Sequence, residues 1–247
     1  MSRDYTDRYP ALALDTSSTV LDVVLRTREG TDRETLRAGR RHNELLAPML
    51  RRLFDRNAVS PRDLSLVACS IGPGSFTGLR IGLSTAKGLY ATARDCRLVG
   101  VPTLDAYARA AYRLDGNAGG TLPSPVLCAI DGRKHRYFAA LYYDEKRIWG
   151  PADLPPGEIA TRVRERCSGT VTVVGPDNER TVAAVGAAVE EIAGEVSGSP
   201  VTFEPSLVYE GGVANAVLDL AFSDTEGALD LRDDAGPVYL RGSQAEE

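Results

Sequence analysis

The stretch Gly72-Pro73-Gly74-Ser75-Phe76-Thr77-Gly78-Leu79-Arg80 constrains the fold more than any other part of this sequence. Before it, Leu64, Leu66, Val67, Ala68 and Cys69 read as a buried strand. After it, Leu79, Leu83, Ala86 and Tyr90 recur at helical spacing. A strand that turns through glycines into a helix is the building unit of an α/β sheet, and its helix start exposes backbone N–H groups. The string is not a Walker A loop, because no Lys-Ser or Lys-Thr follows Gly78. It is not a dinucleotide fingerprint either, since its third glycine comes one residue late. A plain strand-to-helix turn and a ligand loop both remain open at this point.

The rest of the chain alternates in the same way. Strands are expected at 11–14, 20–25 and 31–36, with short turns that favour antiparallel pairing. A helix follows over about 41–56, where Pro48 predicts a kink or a late start. Then come the strand at 64–69, a helix over 77–93, a strand at 97–101 and a helix over 104–114. Residues 116–125 are rich in Gly, Pro and Ser and read as a linker. Beyond them the theme partly repeats, with strands at 126–130, 137–143, 171–174 and 201–203 and helices over 158–167, 181–196 and 213–223. Both halves open with strand, Asp and turn (Asp15 and Asp131), which suggests a duplicated α/β unit with mixed sheets.

Bulk properties narrow the function. The chain of 247 residues has a formal net charge of −5 and a pI of about 5.3, so no overall basic field holds a nucleic acid; an RNA would be gripped mainly by another chain. The first residues are charged rather than apolar, and no run approaches a membrane span of roughly 20 apolar residues. Cys69, Cys96, Cys128 and Cys167 are scattered, as free thiols in a reducing compartment would be. A cytoplasmic protein without membrane contact is the expectation.

Few residues offer chemistry. Asp15-Thr16-Ser17 could cradle a phosphate, or form an ordinary Asx turn, and Asp131-Gly132-Arg133 gives the same pair of readings. Gly211-Gly212 before a late helix could lie against an adenine, or simply open that helix. Only His42 and His135 are present, and neither has a second His at metal-ligand spacing. No Gly-x-Ser-x-Gly elbow supports a nucleophilic serine. No metal site and no catalytic residue is expected. A self-sufficient ATPase or kinase built on Asp15, Asp131 and the Gly211 loop stays open as an alternative, with a metallopeptidase more remote.

The two early helices carry the remaining signal. The first has an apolar stripe of Leu45, Leu46, Met49, Leu50, Leu53 and Phe54; the second lines up Gly78, Gly82, Ala86 and Tyr90. A small-residue face admits close helix approach, from the chain's own sheet or from another subunit.

The strings LALDTSS (12–18), RHNELLAPML (41–50), IGPGSFTGLRIGLSTAKGL (71–89), VPTLDA (101–106), AIDGRKHRYFAALYY (129–143) and GPVYLR (236–241) resemble the bacterial TsaB (YeaZ) family in order and spacing, with residues 150–235 matching only loosely. The resemblance implies an actin/Hsp70/hexokinase-like fold of two α/β subdomains: 1–115, completed by the helix at 213–223, and 126–205, with a tail over 226–247. It also implies a role in making N6-threonylcarbamoyladenosine in tRNA, as the non-catalytic subunit that binds and activates a TsaD transferase. A TsaE-type ATPase joins that assembly, ATP and magnesium belong to the assembly rather than to this chain, and the isolated chain can pair with itself. The His-x-x-x-His helix of TsaD has no counterpart after His42. Carried onto this sequence, the pairing helices are 42–54 and 77–93, which puts Leu45, Leu46, Met49, Leu53, Gly78, Leu79, Gly82, Leu83, Ala86 and Tyr90 at the partner interface.

Overall fold

The computed structural model describes residues 8–116, 125–191, 200–205, 213–223, 229–231 and 236–238. Two compact units divide the chain: 1–106 with 211–239, and 107–210 with 240–247.

In the first unit, β1 (Ala11–Asp15), β2 (Val20–Arg26) and β3 (Thr31–Arg37) form an antiparallel meander. β4 (Leu66–Gly72) then adds parallel to β1, and β5 (Arg97–Pro102) parallel to β4. With the two-residue β11 (Leu229–Asp230) the sheet runs β11-β5-β4-β1-β2-β3. Central strands β1 and β4 are buried along their whole length, which is why they read as continuous apolar runs rather than alternating ones. β3 is the opposite case. Its sequence TDRETLR is exposed and charged, and charge on an edge strand discourages pairing with another chain.

One face of this sheet carries α1 (His42–Arg56) and α2 (Phe76–Thr92), with Leu46, Met49, Leu53, Leu83 and Ala86 packed onto Leu12, Leu21, Val23, Val67 and Ile71. Each such fully buried leucine or valine is worth roughly 1.5–3 kcal/mol over exposure. α1 starts at His42 and runs on through Pro48, so the expected late start is not seen; Pro48 sits on the exposed side. The helix is moored to β3 by Arg52 against Glu34 and by Arg56 against Asp32 and Glu34. The Arg56 guanidinium holds the Asp32 carboxyl below its usual range; at Glu34 partial burial opposes the shift, but Arg52 and Arg56 outweigh it.

The other face carries α6 (Ala214–Phe222), which lies across β1, β2, β4 and β5. Its first residues lack a side-chain cap of their own. Asp22 of β2, 1% exposed, supplies it: one carboxylate oxygen accepts from the Ala214 amide at 2.7 Å, while the other accepts from Thr35 Oγ1 at 2.5 Å and Arg33 Nε at 3.1 Å. Arg26 reaches Asp219 at 3.0 Å and lies over the Phe222 ring. Truncating Asp22 to alanine strands a buried amide and frees Arg33. We expect it to cost about 2–3 kcal/mol, read as a lower urea midpoint; an unchanged midpoint would show that α6 is held by packing alone.

The second unit repeats the design. β6 (Val126–Asp131), β7 (Tyr137–Tyr143) and β8 (Lys146–Leu154) form the meander; β9 (Gly169–Val174) and β10 (Val201–Pro205) follow in parallel, giving β10-β9-β6-β7-β8. α4 (Pro156–Arg164) and α5 (Asn178–Glu191) supply Ile159, Val163 and Val185 to a core with Leu127, Leu141 and Val173. The remaining helix, α3 (Thr103–Gly116), contains the division between the units. The same mixed strand order in both units is the duplicated α/β arrangement expected of an actin/Hsp70/hexokinase-like chain.

Candidate functional site

The glycine loop is spent on the chain's own packing. Gly72 has φ +113°, a conformation that L side chains rarely adopt, and an added Cβ would strike the Val238 carbonyl. Val238 in turn donates its amide to Ile71 O at 2.6 Å, so the segment 236–238 lies on this turn. Ser75 caps α2, its Oγ accepting from the Gly78 amide at 3.2 Å, and its own amide donates to Ser17 O at 2.7 Å. A Cβ on Gly74 would meet Ser17 O, one on Gly78 would meet Thr16 O, and one on Gly82 would meet Thr16 Oγ1. Three glycines four residues apart therefore bed the turn after β1 against α2.

This settles where several expected site residues lie. Asp15, Thr16 and Ser17 are each at most 1% exposed. The Ser17 amide, which a phosphate would need, donates to Asp15 Oδ1 at 3.1 Å in an Asx turn. Burial pushes the Asp15 carboxyl up, with hydroxyls of Ser70 and Ser17 pulling the other way. A carboxyl this deep, with one oxygen already holding the Ser17 amide, is poorly placed to reach a metal or a phosphate. Asp131, in the second unit, also closes an Asx turn, accepting from the Arg133 amide at 2.7 Å, with Arg180 3.9 Å away. Gly211 and Gly212 lie outside the described residues. Among the described residues no cluster of three or more His, Cys, Asp or Glu could hold a metal, and no helix is long and apolar enough to cross a membrane. The four cysteines are free; burial pushes the Cys69 thiol up to about 12 and Cys96 to about 11, far from reactive thiolates.

The stripe expected at a partner interface needs a correction. Leu46, Met49, Leu53, Leu79, Leu83 and Ala86 are all buried, and Gly78 and Gly82 face the β1 turn. Only Leu45 and Tyr90 keep partial exposure. The physical reason is simple: on a helix laid over a sheet, the strongest apolar stripe is the one the sheet claims. What α1 and α2 leave outside is a groove of about 720 Å³. Its lining includes Ala47, Leu50 and Phe54 from α1, Val59 beyond it, and Gly88 and Leu89 from α2. Arg51 and Asp55 edge the groove and pair with each other at 3.7 Å, both well exposed. At Gly88 an added Cβ meets nothing within 4 Å. An apolar trough with a charged rim and a bare glycine is a shape for a helix or loop of another chain. Sequence reasoning missed Ala47, Thr85 and Gly88, which also line the groove, because they fall off the repeats of Leu45–Phe54 and Gly78–Tyr90 that it followed.

Residues 36–190, more than half of the chain, match the family model described as TsaD: tRNA N6-adenosine threonylcarbamoyltransferase. The tRNA threonylcarbamoyladenosine biosynthesis protein TsaB of Escherichia coli K12 is 32% identical over 167 residues, covering 66% of this chain and 69% of that protein. The TsaB of Bacillus subtilis 168 is 31% identical over 132 residues, 53% of this chain and 54% of the relative. Among solved structures, a Pseudomonas aeruginosa protein described as uncharacterised with similarity to peptidase YeaZ superposes with a TM-score of 0.67 at 26% identity, covering 94% of this chain and 99% of its own. YeaZ from the same organism superposes with a TM-score of 0.66 at 24% identity over 93% and 99% of the two chains, a likeness of fold. The chain therefore belongs to the TsaB/YeaZ family of tRNA threonylcarbamoyladenosine biosynthesis proteins, within the group of sequences that the TsaD family model gathers.

Proposed function

We propose that this chain is the non-catalytic subunit that binds a TsaD-type transferase and holds it in its working state during threonylcarbamoyladenosine formation on tRNA. The observation that carries the reading is the outward groove between α1 and α2, an apolar surface on the two helices that the resemblance assigns to pairing. The buried Asp15 turn supports it further, since the surface that a kinase or ATPase would turn toward phosphate is packed against α2. In this reading the chain requires no cofactor of its own, and ATP with magnesium acts in the assembly that a TsaE-type ATPase joins. The transferase is the chain's direct partner, and tRNA is held mainly through the complex. Isolated, the chain covers the same groove by pairing with a second copy.

Reconstitution tests the proposal. Mixed at micromolar concentration with the TsaD-type subunit of its own organism, the chain should elute as a stoichiometric complex. Adding the ATPase subunit, ATP, tRNA and the threonylcarbamoyl donor should then give modified tRNA only when this chain is present. No complex, or full modification without this chain, sinks the reading. Calorimetry with ATP and magnesium on the isolated chain separates the kinase alternative, which demands tight binding and turnover.

A further inference from the structure

Three loops of the first unit meet at one edge of its sheet. β3 and β1 both run antiparallel to β2, and β1 runs parallel to β4, so all three end on the same side. Their loops are laced together. Ala38 and Gly39 donate their amides to Thr19 O at 2.9 and 3.0 Å, and Ser75 donates to Ser17 O at 2.7 Å. Ligands of open α/β sheets gather at the carboxyl ends of parallel strands.

The charge on this edge is one-sided. Segments 16–19, 37–43 and 72–80 carry Arg37, Arg40, Arg41 and Arg80 and no Asp or Glu. Two acids adjoin these segments: Asp15, which is 1% exposed and closes its own Asx turn with Ser17, and Glu44, in the first turn of α1. Arg37, Arg40 and Arg41 are exposed, and among the described residues none of the three is in an ion pair. Elsewhere the pattern is different: Arg52 and Arg56 are tied to Asp32 and Glu34, and Arg162 and Arg166 share Glu165. A merely solvated face would intersperse its acids in the same way. Here a chain of net charge −5 concentrates Arg37, Arg40 and Arg41, none of them in an ion pair among the described residues, on the edge that also exposes the hydroxyls of Thr19, Ser75 and Thr77.

We infer that this edge, centred on Arg37, Arg40 and Arg41, binds the phosphodiester backbone of RNA. Guanidinium forks match phosphate oxygens bidentately, and hydroxyls complete such contacts without reading a base. The aromatic ring in these segments, Phe76, is half-buried and carries the Arg80 guanidinium 3.9 Å from its centroid, so it is already covered; the contact positions the RNA and leaves its sequence unread. The inference rests on the family's role on tRNA and deepens the proposed function: the RNA is steadied by the non-catalytic subunit as well as by its partner.

The test compares wild type with Arg37→Ala/Arg40→Ala/Arg41→Ala, each in complex with the transferase subunit, by binding unmodified tRNA across a salt series. Loss of up to three phosphate contacts should make the slope of log K against log salt shallower by about two to three, with affinity down about tenfold or more at low salt. The triple lysine variant should restore most of the slope. Wild-type affinity and slope in the alanine variant overturn the inference. So does loss of subunit pairing with the fold intact, which would assign the edge to a protein contact. Should the wild-type subunits not pair at all, the proposed function fails separately. The same titration on the isolated chain then decides this edge: a slope unchanged by the three alanines overturns it.

Discussion

Gly88→Arg should abolish pairing with the transferase subunit while leaving the fold intact or slightly firmer. Gly88 is exposed on the groove side of α2 and has open space around it, so no neighbour has to move. Replacing a glycine within a helix gains about 0.5–1 kcal/mol. In a complex, the same side chain would fill the trough between α1 and α2 with an unmatched charge. Desolvating such a charge costs about 2–5 kcal/mol, or roughly thirtyfold or more in affinity. Calorimetric titration against the partner, beside a thermal melt of each variant, separates the two effects. Wild-type affinity in Gly88→Arg would place the interface elsewhere.

The second large effect is one of stability. Gly78→Ala should lower the melting temperature by about 10 °C, since a cost near 3 kcal/mol is expected when a methyl is forced against backbone. Its Cβ would strike the Thr16 carbonyl, which has no rotamer by which to retreat. Gly82→Leu meets Thr16 Oγ1 in the same interior, so a loss of pairing in that variant would report damage to the fold rather than contact with a partner. A melt of Gly78→Ala within two degrees of wild type would mean that α2 can slide away from the β1 turn at little cost.

Much of the architecture was legible because this sheet is buried on both faces. β1 is apolar up to its last residue, Asp15, and β4 is apolar but for Ser70, and no helix periodicity competes with them. β8 was not legible. Its sequence KRIWGPADL mixes charge, Gly150 and Pro151, which an edge strand tolerates and a central one does not. Helices α1 and α2 were found from their periodicity, and that same periodicity marks the side that the chain's own sheet buries. Leu46, Met49 and Leu53 repeat because the sheet needs them, whereas the outward Ala47, Thr85 and Gly88 repeat nothing. The spacing of Gly78, Gly82 and Ala86 did say that a close approach is possible. That the visitor is Thr16–Ser17, some sixty residues upstream, needed the fold. Asp22 left a clearer trace, as a lone carboxylate in an apolar strand, a sign that a distant donor must meet it.

That donor is the amide of Ala214, 192 residues further along the chain. The first unit is thus begun by β1 to β5 and closed by α6, which is synthesised more than a hundred residues after β5. Until residue 214 has been synthesised, the face of β1, β2, β4 and β5 that receives α6 has no cover, and Asp22 has no amide to cap. The second unit is almost contiguous, from 107 to 210, and its sheet and helices are complete before α6 emerges. At translation rates of roughly 5–20 residues per second, the half-built unit waits about 5–20 seconds between β5 and α6. During that wait the uncovered face of the sheet is apolar surface of the kind that chaperones shield.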